Sequence, residues 1–284
     1  MRRRTRWWVE ALAIAWLLWV YDAIGNLAPL RLNVAIGHAW GILHLEQALH
    51  IDPELALDRW LAGHRTLGLL LSDYYDNAHF VVTIALLGWL WWRREDLYRP
   101  LRNSLLVVNA LAFVVFWRYP VAPPRMLGSR GFTDVVASTH AFGSWHTGAL
   151  ASQANQLAAM PSLHMAWAVW CGVALWKLSG RRFMRGLAVL YPCLTGFAVL
   201  ATGNHFVLDI LGGLVAMAMA MLIVRVAPRV PARARRWVRG RGDRLPPRPG
   251  RRAEAFPVQV FPVKSGALAY RLSQTCYEVQ DQVD

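Results

Sequence analysis

Two of the nine histidines stand where an apolar block begins, each beside a group that could work with it. His164 closes Met160-Pro161-Ser162-Leu163-His164, and His205 follows Gly203-Asn204 with Asp209 four positions on. Pro161 suits the first position of a helix, where the N–H has no intrahelical partner. The N–H groups that follow it, with the positive end of the helix dipole, form an anion site. A phosphate there would meet the Ser162 hydroxyl and His164 as a proton donor. His205 and Asp209 share a helix face at i and i+4. Asp209 can accept a hydrogen bond from one ring nitrogen of His205, which fixes the tautomer and leaves the other nitrogen as a nucleophile. Arg118 and Arg125 add cations where phosphoryl charge would develop, and Pro120, Pro123 and Pro124 stiffen the segment between them. Each group also has a plainer use, as a helix cap, a buried polar pair or a rigid loop. Their shared chemistry would be attack of an imidazole on phosphorus.

The elements that must position these residues are apolar. The chain has 284 residues, 56% of them hydrophobic and gathered in long blocks, which points to an all-α, polytopic membrane bundle. Spans are expected at about residues 7–24, 78–92, 103–117, 161–178, 187–201 and 206–224. Trp7, Trp8, Trp89, Trp91, Trp92 and Trp117 stand at block ends as interfacial anchors do. Some blocks are shorter than the roughly 20 residues that cross a bilayer, so flanking residues must snorkel. Residues 27–76 hold His38, His44, Glu46, His50 and Asp52 and read as one or two interfacial helices. Within them Asp52-Pro53-Glu54 reads as a cap, a first-turn Pro and a dipole-matched acid. Residues 1–227 form the expected membrane domain. Residues 228–284 read as a basic, Pro/Arg-rich, disordered cytoplasmic tail. The N-terminus reads as a retained first span, since no small-residue cleavage site follows it.

The net charge of +14 would suit nucleic acid only if the basic residues formed one patch, and they are instead parcelled between apolar blocks. Their distribution sets the orientation. With the N-terminus in the cytoplasm, the short inside segments hold 12 Lys and Arg against 6 outside. Arg118, Arg125, Ser162, His164, Asn204, His205 and Asp209 then meet at the extracytoplasmic face. His79, at the opening of the second span, joins them as an accessory candidate with Asn204. The three cysteines lack metal-ligand spacing and no His-Glu-x-x-His pattern occurs, so no metal or other cofactor is expected.

Arg118-x6-Arg125, Pro161-Ser-Leu-His164 and Gly203-Asn-His205-x3-Asp209 resemble the three signatures of the type 2 phosphatidic acid phosphatase superfamily. The resemblance runs from about residue 73 to 213, takes in Tyr75-x3-His79-Phe80, and is nearest to the branch of inositol phosphorylceramide synthases and inositolphosphotransferases. It implies that His205 attacks phosphorus, Asp209 orients it, and His164 protonates the leaving oxygen. Arg118, Arg125 and Ser162 would hold phosphoryl oxygens. The chain departs from the usual pattern at Arg118, where Lys is common, at Met126, where Pro follows Arg, at Leu163, where Gly precedes His, and at Val199, where an Arg is usual. The implied activity is that of a lipid phosphatase or phosphotransferase of the plasma membrane. Its substrate would be a lipid phosphate ester, and its acceptor water or a lipid or polyol hydroxyl. A channel or lipid transporter with a polar His/Arg path is the competing reading. The mechanism also sets a distance: with reacting atoms about 3–3.5 Å from phosphorus on each side, the imidazole nitrogens should stand roughly 5–8 Å apart with Arg125 pointing in.

Overall fold

A computed structural model describes residues 8, 12, 31–139 and 157–227. They fold into helices: α1 Leu32–Leu49, α2 Glu54–Ala62, α3 Arg65–Arg93, α4 Glu95–Arg118, α5 Val135–Thr139, α6 Leu163–Leu178, α7 Arg182–Ala201 and α8 Val207–Val226. All belong to one compact unit, Met1–Pro228. The expected first span, much of the 119–160 loop and the tail lie outside the described residues.

The bundle is built on α8 and α6. The helix α8 packs on both α4 and α6, and α6 also packs on α7. Small residues make this possible: Ala166, Cys171 and Ala174 of α6 meet Ala216 and Ala220 of α8 in one buried cluster with Val108 of α4. Where apolar lipid gives no hydrophobic drive, such close approach supplies the packing that associates helices. Trp170 is fully buried and donates its indole N–H to the Leu101 carbonyl at 2.8 Å, tying α6 to α4. At Gly213 of α8 an added Cβ would lie 2.4 Å from the Ser162 carbonyl oxygen, so only glycine lets the two helices meet there. Outward residues such as Val81, Ile84, Val114, Leu190, Val215 and Leu222 leave an apolar surface.

Among the described residues, α4, α7 and α8 are long and apolar enough to cross a membrane, and α6 is apolar but 16 residues long. The molecule is an all-α membrane bundle. Two boundaries differ from the expectation. The expected second span is the C-terminal half of α3, a helix of 29 residues that also includes residues 65–76, assigned above to the interfacial stretch. Ser72 and Asp76 hid this continuity from a hydropathy reading, yet both are buried in the fold. Pro161 is not the first residue of α6 but precedes the cap, Ser162, through a cis peptide bond from Met160.

The helices α1 and α2 are the interfacial pair. Ala35, Ala39, Ile42 and Leu43 of α1 pack with Val121, Leu127, Phe132, Ala159 and Phe206 at the end of the bundle where α8 begins. There Val121 and Ala159 pair their backbones: the Val121 N–H donates to the Leu157 carbonyl at 3.1 Å and the Ala159 N–H to the Val121 carbonyl at 3.2 Å.

Candidate active site

The loop from α7 to α8 presents His205. Gly203 turns the chain in the left-handed region at φ 63°, and the N–H groups of Asn204 and His205 both donate to the Val199 carbonyl, at 3.1 and 3.2 Å. Val199 occupies the position where the family resemblance leads one to expect an arginine, and its backbone here holds the His205 loop. The His205 side chain is buried. Its Nδ1 lies 2.9 Å from the Ala159 carbonyl oxygen and 3.5 Å from Asp209 Oδ2. A carbonyl only accepts, so Nδ1 carries the proton and the lone pair of the neutral ring sits on Nε2. The expected division of labour is therefore modified. The Ala159 carbonyl is the nearer partner of the ring, and Asp209 is the second. Asp209 Oδ2 chiefly accepts the Phe206 N–H at 2.9 Å, because Asp209 is the third residue of α8 and caps its N-terminus.

His205 Nε2 faces His164 Nδ1 at 3.4 Å, with ring centroids 5.6 Å apart. This is closer than the 5–8 Å expected for a phosphoryl group between them. Here the two rings meet as hydrogen-bond donor and acceptor, as partly buried ring nitrogens do when they come within reach. His164 is set from behind by α3: its ring stacks on Tyr75 at 4.3 Å and meets His79 edge-on at 4.3 Å. His79 in turn donates from Nδ1 to the Tyr75 carbonyl at 3.0 Å. His79 thus lies midway along α3, not at the opening of a span, and touches the second histidine of the pair.

Ser162 caps α6. Its Oγ accepts the Met165 N–H at 3.3 Å, and its own N–H donates to the Asp209 carbonyl at 2.9 Å. The two histidine-bearing helix starts are thereby joined directly. Arg125 sits in a short 3-10 turn, Pro124–Met126, with Pro124 supplying the fixed φ of its first position. Its backbone N–H donates to the Gly203 carbonyl at 2.8 Å, its Nε to Asp134 Oδ2 at 3.1 Å, and its Nη1 to Asn204 Oδ1. Asn204 is held by its Nδ2 donating to Thr202 Oγ1 at 2.9 Å. Arg125 and the His205 loop are thus one hydrogen-bonded assembly. Arg118 is the last residue of α4 and is exposed, with no hydrogen-bond partner among the described residues.

The fold therefore brings His205, His164, Asp209, Ser162, Asn204, Arg125 and His79 together and leaves Arg118 at the surface. It adds Asp134 behind Arg125 and the Ala159 carbonyl behind His205, which no spacing announced, and it sets Tyr75 of the Tyr75-x3-His79-Phe80 stretch behind His164. It also adds Glu46 of α1 and Glu54 of α2. Both are fully buried, and their Oε1 atoms accept the Leu208 N–H at 2.6 Å and the Val207 N–H at 2.8 Å. Burial in a shared site pushes the Glu46 carboxyl up to about 9 and raises Glu54 as well. The signal that could have disclosed them was slight: two acids in a stretch read as interfacial. Among the described residues no group of three or more His, Cys, Asp or Glu side chains is arranged to hold a metal ion.

Compared with known proteins, the chain matches the model of the PAP2 superfamily over residues 40–223, from α1 to the last turns of α8. No curated protein and no solved structure matches it. The match contains both histidines, the arginine assembly and the glutamates, and it favours an enzyme over the channel or transporter reading. A paired imidazole site at the joined starts of two helices and a family match over more than half of the sequence agree: the chain belongs to the PAP2 superfamily of phosphatase-type phosphoesterases.

Proposed function

We propose that this membrane phosphoesterase cleaves a lipid phosphate ester through a phosphohistidine on His205 Nε2. The observation that carries this reading is the pair itself. The Nδ1 proton of His205 is committed to Ala159 and Asp209, so the lone pair on Nε2 points at His164. In the first step Nε2 bonds to phosphorus, the ester P–O bond breaks, and His164 gives its proton to the leaving oxygen. In the second step an acceptor hydroxyl bonds to phosphorus as the N–P bond breaks, and its proton passes to His164. The phosphoryl group enters between the rings, which must separate from 3.4 Å to admit it. Arg125, already fixed by Asp134 and Asn204, offers its remaining guanidinium donors to the phosphoryl oxygens. Ser162 has its acceptor side engaged by Met165, so its hydroxyl proton is available to the same oxygens. Arg118, exposed at the rim, adds positive charge at the entrance.

The acceptor is water in a phosphatase and a lipid or polyol hydroxyl in a phosphotransferase. The departures at Arg118, Met126, Leu163 and Val199 favour the second, in the manner of inositolphosphotransferases. The Lys/Arg distribution supports a position for this end of the bundle on the extracytoplasmic face of the plasma membrane, and the apolar outer surface supports the lipid setting. The test is to incubate purified protein with a panel of phospholipids, with and without a lipid alcohol, and to identify the products by mass. Turnover that disappears in His205→Ala is expected, and undiminished turnover in that variant would refute the covalent route. For orientation, an impermeant thiol reagent applied to whole cells should label a cysteine at Ser129 and not one at Gly180, in a chain otherwise free of cysteine. The opposite pattern would reverse the topology.

A further inference from the structure

A helix start beside a phosphoryl site is ordinarily where the phosphate binds, because its first N–H groups lack intrahelical partners. The N-terminus of α8 immediately follows His205, yet its N–H groups are taken. Phe206 donates to Asp209, Val207 to Glu54 and Leu208 to Glu46. Glu46 and Glu54 come from α1 and α2, more than 150 residues away in sequence, and both side chains are fully buried. Placing two carboxyls in apolar surroundings is costly unless each is hydrogen-bonded. One oxygen of each is satisfied by α8, and the two carboxyls lie within hydrogen-bonding reach of one another. Capping alone would be met by one Ser or Asp of the helix itself, as Asp209 already shows.

We infer that Glu46 and Glu54 are positioning residues for phosphoryl transfer: they occupy the anion site of α8, so that the phosphoryl group is held at the start of α6 and in line with His205 Nε2. This inference rests on the reading of His205 as the nucleophile. The geometry gives it two parts. Filling the Val207 and Leu208 amides removes a competing seat for phosphate two residues beyond the attacking ring. The same bonds fix the register of α8, and with it the His205 loop, through helices that are not part of the spanning bundle. The start of α6 has no acid in its first turn, and its side-chain cap is a hydroxyl.

The test uses the full chain, purified, with inorganic phosphate as the probe of anion binding. Glu54→Ala leaves the Val207 N–H open. The expected result is a kcat lowered about tenfold or more, as for a buried donor left unpaired, together with inhibition by phosphate at least about threefold stronger. A loss of packing alone would lower kcat without strengthening phosphate binding. Glu54→Gln keeps an amide acceptor for Val207 and should recover kcat to within about threefold. Should Glu54→Ala fail to fold, Glu46→Ala carries the test: it leaves the Leu208 N–H open while Glu54 still closes Val207, so phosphate should inhibit at least about threefold more strongly. Unchanged or weaker phosphate inhibition in whichever of these alanine variants folds would overturn the inference. His205→Ala, assayed alongside, keeps the two failures apart. If it is inactive while the glutamate variants behave as the parent, only the positioning role falls; if it is active, the nucleophile assignment falls.

Discussion

The start of α8 gives its N–H groups to three carboxyls, Asp209 from within and Glu46 and Glu54 from α1 and α2. The start of α6 lies against it, joined by the Ser162 N–H to Asp209 carbonyl bond, and has a single neutral cap. Both helices carry a histidine at or near their first turn, and both dipoles point their positive ends at the same small volume. One end is closed by the protein's own anions and the other is left to a ligand. Two equivalent anion seats would hold phosphate in two positions. With one filled, the seat that remains is the one whose first turn contains His164, the proposed proton donor, and it stands opposite His205, the proposed nucleophile. A site for attack along one line is thereby made from two elements that would otherwise compete.

That contrast can be broken most severely at the open end. His164→Ala should lower turnover of a lipid phosphate by about 10²–10⁴-fold, the usual worth of general acid catalysis. A nitrophenyl phosphate, whose leaving group needs no proton, should lose far less. Equal losses on both substrates in a steady-state assay would remove His164 from the acid role. The next effect belongs to Arg125. Arg125→Lys should cost about 10–100-fold in kcat/KM, because a single ammonium cannot bridge Asp134, Asn204 and a phosphoryl oxygen as a guanidinium fork does. A variant with parental kcat/KM would show that the cation acts only by charge.

At the closed end the expected effect is on stability. Burial lifts the Glu46 carboxyl from its ordinary 4.5 to about 9, with Glu54 and Asp209 as its charged neighbours. Between those values the folded chain keeps a proton that the unfolded chain has lost, so stability falls as pH rises, by at most about 1.4 kcal/mol per pH unit for this group. Glu46→Gln keeps the acceptor for Leu208 and cannot ionise. Thermal melts should place its midpoint above that of the parent at pH 8 and near it at pH 5; parallel melting profiles across that range would show that Glu46 does not titrate in this way. The smallest effect is expected at the rim. Arg118→Ala should change kcat/KM by less than about threefold and only at low ionic strength, since an exposed charge is screened. A loss as large as that of Arg125→Lys would place Arg118 in contact with the phosphoryl group.

Much of this was legible in the sequence, and the reason differs by residue. The spans could be read because lipid demands unbroken apolar runs, and α4, α7 and α8 satisfy that demand by composition alone. His164 and His205 could be read because polar groups at span ends are conspicuous, and Asp209 because i and i+4 is a local relation. The N-terminal half of α3 could not, since Ser72, Asp73, Asp76 and Asn77 interrupt the apolar run without interrupting the helix. Glu46 and Glu54 could not for a deeper reason. Their partners are backbone N–H groups of a distant helix, and a backbone amide has no sequence signature. The carbonyl of Ala159 escaped notice on the same ground, although it lies nearer to His205 Nδ1 than the carboxylate does.

The bond between Ser162 and Asp209, with Gly213 seated on the Ser162 carbonyl, also bears on motion. It ties α6 to α8 at the level of the reacting atoms, so the backbones beneath the two histidines move as one piece. A hinge between these helices is not a means of widening the 3.4 Å gap. The remaining freedom is in the torsions of the side chains, above all His164, which slides between Tyr75 and His79. Rotamer changes of exposed side chains occur on the picosecond-to-nanosecond scale, and collective domain motions on the microsecond-to-millisecond scale. Admission of the phosphoryl group is then a local event, and the tempo of the cycle is left to the chemistry and to the travel of lipid into and out of the site.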